Sequence, residues 1–297
     1  TSDFIFEIPA TMKDFKTPII YLLILIIMML LVVLKRVDDR NSELENIIKF
    51  NKENKEKAPI PLPLPVKKTP KKVTKAIEGV IGIIIDDFGY RNDEISDGFL
   101  KLDASMTYAV IPGHTYSSLF GKKAVEAGFE VIVHMPLENT GKTFGEEDFV
   151  LLTSMEDKII QKRVEKALDQ IPTAIGMNNH QGSKASANRK VVQNIAKVIK
   201  SRNLFFIDSR TTSETIIEST MDSMGVSTAR RNVFLDNDDD EEKIKAQLME
   251  LAQKSSELGF AIGIGHVKAK TLSVLKKYIP ELKEKGFRFE FVSKMLH

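Results

Sequence analysis

The stretch IGIIIDDFG, residues 81–89, is an apolar run that ends abruptly in two adjacent carboxylates, Asp86 and Asp87, followed by Phe88 and Gly89. A run this short, rich in β-branched isoleucine and stopped by acid and glycine, reads as a strand buried on both faces, as in parallel sheets. Similar apolar runs recur at 106–111, 130–133, 174–177, 204–207, 226–229, 260–264 and 287–292. Helical spacing fills gaps between them at 154–170, 187–201, 241–258 and 271–285, the last expected to break near Pro280. The alternation predicts an α/β fold, a deformed or incomplete (β/α) barrel of about seven strands, because a full eight-stranded barrel takes about 250 residues. A doubly wound open sheet is the architectural alternative.

Working outward, the chain before this region differs in kind. The uncharged run IIYLLILIIMMLLVVL at 19–34 lies between Lys16 and Lys35 and reads as a membrane helix, somewhat short of the usual ~20 residues. A cleaved signal peptide is the rival, but its apolar core would be shorter and a small-x-small site should follow, whereas VDDRNSEL follows here. The segment APIPLPLPVKKTPKK at 58–72 alternates prolines and then gathers lysines, a composition that favours an extended, semi-rigid stalk. The expected organisation is an N-terminal tail at 1–17, an anchor at 18–36, a charged and Pro-rich linker at 37–78 and a catalytic domain at 79–297. Lys35, Arg36 and Arg40 follow the apolar run, so the positive-inside rule alone would keep the domain in the cytoplasm.

Composition narrows the chemistry. A hydrophobic share of 42% and a charged share of 28% are ordinary for a globular domain. A net charge of +2, with lysines crowded into the linker, leaves no basic footprint, and no nucleic-acid partner is expected. With no Cys in the chain, any metal must be held by His, Asp, Glu or water.

Position singles out the reactive residues. Asp86, Asp87, His114, His134, His180, Asp208 and His266 each lie at or just past the C-terminal end of an expected strand, and in a parallel barrel those ends converge on one face. Adjacent carboxylates repel, a state that a bound cation or a shared proton relieves; one Asp acting as a helix cap is the plainer alternative. In EVIVHMPLE (130–138), His134 ends a strand and Glu138 stands four residues on, placed to ligate, to orient His134 or to bind a substrate hydroxyl. In AIGMNNHQGS (174–183), Asn178, Asn179, His180 and Ser183 sit in a glycine-flanked loop suited to a sugar or acyl group, with His180 available beside Asp87 and His134; an ordinary Asn-rich turn is the alternative. FFIDSRTT (205–212) offers Asp208, to orient a histidine or pair with Arg210, and AIGIGHVKAKTL (261–272) offers His266 as a general acid near neutral pH. FLDNDDDEE (234–242) reads mainly as an acidic helix start, with Asp236 and Asn237 near a cleft, and His114 is left outside the ligand set.

Taken in order, IIDDFG, HMPLE, GMNNHQGS, FFIDSRTT, FLDN and IGHVKAKTL resemble the divergent polysaccharide deacetylases, remote relatives of the NodB-type carbohydrate esterases, over the span 80–296. The resemblance implies a deformed barrel, usually exported, with a divalent metal, zinc foremost. It also implies an acyl-bearing polysaccharide or peptidoglycan-like substrate of the cell envelope. Asp86 matches the general base of the family's Asp-Asp motif, Asp87 its metal-binding aspartate and His134 the first histidine of His-x-x-x-His. Glu138 stands where the second histidine would be, Phe88 separates the aspartates from Gly89, and Val267 replaces a proline. The expected site therefore has Asp86, His266 and Asp208 as catalytic residues, a metal on Asp87, His134 and His180, and substrate contacts from Glu138, Asn179, Ser183 and Arg210. Two rival functions are a non-catalytic glycan-binding or envelope-scaffolding domain and a metal-free glycosidase using Asp86 and Glu138.

Overall fold

Strand β1 (Gly79–Phe88) is central to the sheet, paired from Val80 to Asp86 with β8 (Phe260–His266) on one edge. Its other edge is shared, the first residues pairing with β9 (Phe287–Phe289) and the last with β2 (Thr107–Val110). Beyond β2 follow β3 (Glu130–Leu137), β4 (Gly176–Gln181), β5 (Phe205–Asp208) and β6 (Thr228–Arg230), while β7 (Val233–Phe234) lies outside β8. The order β6-β5-β4-β3-β2-β1-β8-β7 is that of a barrel opened between β6 and β7, and every pairing is parallel. It has no reversal of strand order, which rules out the doubly wound alternative. Nine strands form this sheet, the eight apolar runs read from sequence and β7, which is two residues long and carries too little pattern to be read there.

The computed structural model describes residues 77–142 and 145–297 together with Met28 and Lys35. The expected tail at 1–17, the anchor at 18–36 apart from those two residues, and the linker at 37–78 apart from its last two lie outside the described residues. Among the described residues no helix is long and apolar enough to cross a membrane. The chain divides into two units, Thr1–Lys72 and Val73–His297, and the sheet and its helices belong to the second.

Strand alternation creates two cores. Ile81, Ile83 and Ile85 face outward, where α1 (Glu241–Leu258) packs on β1, while Ile84, Ile132, Ile207 and Ile262 fill the barrel interior. Val292 and Met295 close the interior from the N-terminal ends of the strands, and a Cβ on Gly82 would lie 2.6 Å from the Met295 sulfur. Apolar side chains thus dominate the lower barrel, with Thr107 buried among them at the start of β2, and the titratable groups of the cleft gather at the C-terminal ends. Helix α2 (Ala269–Lys285) continues through Pro280 instead of breaking there. Pro280 lies on the exposed face, and Leu275, Tyr278, Ile279 and Leu282 bury both halves of the helix, which offsets the lost backbone bond.

Candidate metal centre and active site

Successive residues of a strand point to opposite faces, so Asp86 and Asp87 could not both reach one site from a regular β1. The pairing with β2 slips between Ile85 and Phe88, and Asp87 adopts a left-handed backbone with φ 70°. This bulge keeps Asp86 inward and turns Asp87 toward the same opening. It also places Phe88 among the outer-layer residues, stacked on Phe120 at 3.9 Å between ring centroids. Gly89 completes the turn with φ 119°, where a Cβ would stand 2.9 Å from the Ser117 hydroxyl.

At that opening Asp87 Oδ1 lies 3.3 Å from His134 Nε2 and 3.2 Å from His180 Nδ1, and the two imidazole nitrogens are 3.1 Å apart. Three ligand atoms bonded to one cation at about 2.0–2.1 Å and near-tetrahedral angles are separated by about 3.3 Å, so the triangle has the size such a site needs. Asp87 Oδ1 is buried and accepts no well-formed hydrogen bond, a desolvated anionic oxygen that faces the two imidazole nitrogens. Asp87, His134 and His180 are the ligand set expected from sequence, and the residues present fit a divalent cation. His180 reaches the third position from β4, the strand paired with β3, where Pro136 and His180 are in register.

Electrostatics in the metal-free protein follow from the crowding. Burial opposes charge on Asp87, yet the His134 and His180 contacts hold its carboxyl far below the usual carboxylate range. Burial likewise works against an imidazolium at His134, but Asp86, Asp87 and Asn178 outweigh it and push its pKa up to about 9. Asp86, 2% exposed, is pushed above its ordinary value by desolvation, which His134, His266 and Asn178 only partly offset. The Asn178 amide joins the two roles. Its Oδ1 accepts from His134 Nδ1–H at 2.7 Å, so that the ring presents Nε2 to the triangle, where a cation would take the place of its proton, and its Nδ2 donates to Asp86 Oδ1 at 2.8 Å.

Opposite β1, His266 ends β8 in register with Asp86. The fully buried Asp236 accepts the His266 ring at Nδ1 (2.7 Å), its backbone N–H (2.7 Å) and the Thr271 hydroxyl (2.7 Å). Desolvation lowers the His266 pKa, but the Asp236 bond and charge, with Asp86 and Asp87, raise it above the ordinary value. Asp86, His134, His180 and His266 line one cleft of about 410 Å³ with Asn179, Gln181, Ser209, Arg210, Arg231 and Phe234. A hollow of about 500 Å³ at the other end of the strands is lined by Leu102, Asp103, Phe287 and Arg288 and holds none of these groups.

Not every expected residue reaches the cleft. Asp208 follows Phe206 on the outward face of β5 and accepts from the Arg210 N–H (2.8 Å) and the Thr215 hydroxyl (2.9 Å), so it shapes the loop and leaves His266 to Asp236. Glu138 is saturated by the Thr153 N–H (2.6 Å) and hydroxyl (2.7 Å) and by Lys184 (2.7 Å), which together hold it below its ordinary pKa against burial. It does not line the cleft, which removes the carboxylate pair that a glycosidase would need. Ser183 bonds the Thr140 N–H at 3.0 Å, away from the cleft. Asn179 borders the cleft but spends its amide on the Ser209 N–H (2.9 Å) and the Gln181 carbonyl (2.9 Å). Arg210 faces the cleft. His114 pairs with Glu146 at 2.9 Å and packs on Tyr90, outside the triangle. Asp236 and Asn178 carry more than the sequence reading assigned to them. The signal for Asp236 lies in the apolar FLD stretch, which ends a two-residue strand, while the acidic run after it starts a helix capped by Asp240, as expected.

A parallel barrel that collects a cation triangle, a buried carboxylate and a carboxylate-held imidazole at its strand ends is arranged as a hydrolase site. The chain belongs to the divergent polysaccharide deacetylase family, whose model matches residues 83–296. It is similar to the uncharacterized protein YibQ of Escherichia coli, with 31% identity over 206 residues, 69% of this chain and 64% of that one. It thus spans less than two thirds of that relative's length. An uncharacterized protein of Haemophilus influenzae is 29% identical over 204 residues, 69% of this chain and 72% of that one. A solved structure of an uncharacterized protein from Agrobacterium tumefaciens shares the fold, with a TM-score of 0.70 and 19% identity over 73% of this chain and 89% of that one.

Proposed function

We propose that this domain hydrolyses an acyl-nitrogen bond, foremost an N-acetyl group, on a cell-envelope polysaccharide. The observation that carries the reading is the Asp87–His134–His180 triangle, with Asp86 beside it and His266 on the next strand in register with Asp86. A divalent cation, zinc foremost, held by those three residues would supply Lewis-acid polarisation of the acyl carbonyl and a more acidic water. Asp86, raised by burial, accepts the proton of the attacking water. His266, its Nδ1–H fixed on Asp236, presents Nε2 to donate a proton to the departing nitrogen. The water's hydroxyl ends on the acyl carbon and a proton on the amine. Position outside the cytoplasm, tethered by the N-terminal apolar segment, is part of the proposal and rests on the sequence and the family resemblance.

The test is acetate release from N-acetylated glycan by the purified full chain, alongside elemental analysis. About one equivalent of metal per chain, with turnover lost on chelation and restored by zinc, is expected. A metal-free chain that binds glycan and releases no acetate under any metal would replace this reading with that of a binding module.

A further inference from the structure

The cleft has a second pole. Arg210 and Arg231 line it across from Asp86, and both also line an adjoining hollow of about 260 Å³ together with Thr212, Ser213 and Asn232. Several other arginines find carboxylates, as Arg202 does with Asp169 at 2.8 Å and Arg230 with Glu218 at 3.2 Å, while Arg163 bonds the Glu147 and Val150 carbonyls at the surface. Arg210 and Arg231 form no ion pair among the described residues. Arg231 instead gives Nε to the Ser209 carbonyl (2.7 Å) and one terminal nitrogen to the Arg210 carbonyl (2.9 Å), neutral acceptors that fix its plane.

The protein maintains this arrangement at a cost. Arg210 sits in a left-handed conformation, φ 49°, pinned by its own N–H on Asp208. Ser209, 6% exposed on the cleft wall, keeps a hydroxyl with no hydrogen-bond partner. Two guanidinium groups that repel each other stand beside an unsatisfied hydroxyl, offset in part by the charges of Asp86 and Asp208 and by no direct ion pair among the described residues.

Resting on the deacetylase reading of the same cleft, the geometry points to an anion subsite: Arg210 and Arg231 bind a carboxylate or phosphate carried by the glycan beside the acylated sugar. The substrate class is then an acidic polysaccharide and not a neutral one. Guanidinium forks match both oxyanions, and charge-assisted hydrogen bonds of this kind favour the acidic ligand by about tenfold or more.

The test uses the metal-loaded full chain and three N-acetylated disaccharides, one bearing a carboxylate, one the corresponding amide and one a phosphate, with affinities measured by calorimetry at low and high salt. Tighter binding of either acidic probe than of the amide, by about tenfold and weakening with salt, is expected, and the stronger of the two identifies the anion. Arg210→Gln should bring the acidic-to-neutral ratio to about one at an unchanged melting temperature, and Arg210→Lys should recover part of it. Equal affinity for all three, or no binding of any, would overturn the subsite. Acetate released at equal efficiency from amide and acidic probes would likewise reject the subsite while the deacetylase reading stands. An acidic preference in binding with no acetate release from any probe would do the opposite.

Discussion

Asp236 and His266 meet at 2.7 Å between Oδ1 and Nδ1, and the second oxygen of the same carboxylate holds the His266 backbone N–H and the Thr271 hydroxyl. The carboxylate is fully buried, so the ring is fixed in one tautomer with Nε2 toward the cleft. Asp236→Asn keeps the shape and removes the charge that holds the His266 pKa up. Turnover should fall by about 10²-fold, within the range for general acid catalysis, with metal content unchanged. The alkaline limb of the rate profile should move to lower pH, because an imidazole with less support loses its proton sooner. An unmoved limb would show that His266 is not the acid.

Asp86 and Asp87 are adjacent in sequence and separated in role by the bulge at Asp87. Asp86→Asn should retain metal and lose about 10²- to 10⁴-fold in turnover, the usual scale for a lost general base. Asp87→Asn should lose both, since it removes the only carboxylate of the triangle. Elemental analysis of the two variants beside their rates decides it. A metal-depleted Asp86→Asn protein beside a metal-replete Asp87→Asn protein would reverse the assignment.

His134→Ala should deplete the metal far more than His114→Ala, because His134 supplies a corner of the triangle while His114 is engaged with Glu146 and Tyr90. Asn178→Ala should fall between them, at about 10- to 100-fold weaker metal binding, as it removes the acceptor that orients His134. Metal titration against a competing chelator measures all three. An Asn178→Ala protein with wild-type affinity would mean that packing alone orients the ring.

Asp87, His134, His180 and His266 were legible in sequence because a parallel barrel brings strand ends together, so that apolar runs ending in His or Asp mark one face. Face is a finer matter than end. Asp208 stands at a strand end like His134, but alternation through Phe206 turns it outward, and only the pairing register separates the two cases. Glu138 was read as a ligand or substrate contact from its spacing, whereas Lys184 and Thr153, 46 and 15 residues away in sequence, claim its oxygens. Asp236 was hidden because its strand is two residues long and an acidic run follows it. Neither register nor so short a strand has a periodicity to detect.

The metal triangle also predicts how stability depends on pH. In the metal-free protein His134 holds its proton up to about pH 9 in the folded state, against an ordinary value of 6.5 in the unfolded chain. Between those values the folded state binds a proton that the unfolded state lacks, so this stabilisation is complete below about pH 6.5 and is lost as pH rises through 9. Asp86 and His266 are also raised and act with the same sign, while Asp87 and Asp236 are lowered, and their contributions are lost only on acidification. The melting temperature of chelator-treated protein should therefore fall between pH 6.5 and 9, on the order of 5 °C. Zinc competes with the proton for His134, so its stabilisation should grow over the same interval and widen the gap between loaded and metal-free protein. Scanning calorimetry of both forms at several pH values tests this. A metal-free melting temperature that stays level or rises across the interval would mean that His134 is already neutral, and that the carboxylates around it are not acting as described.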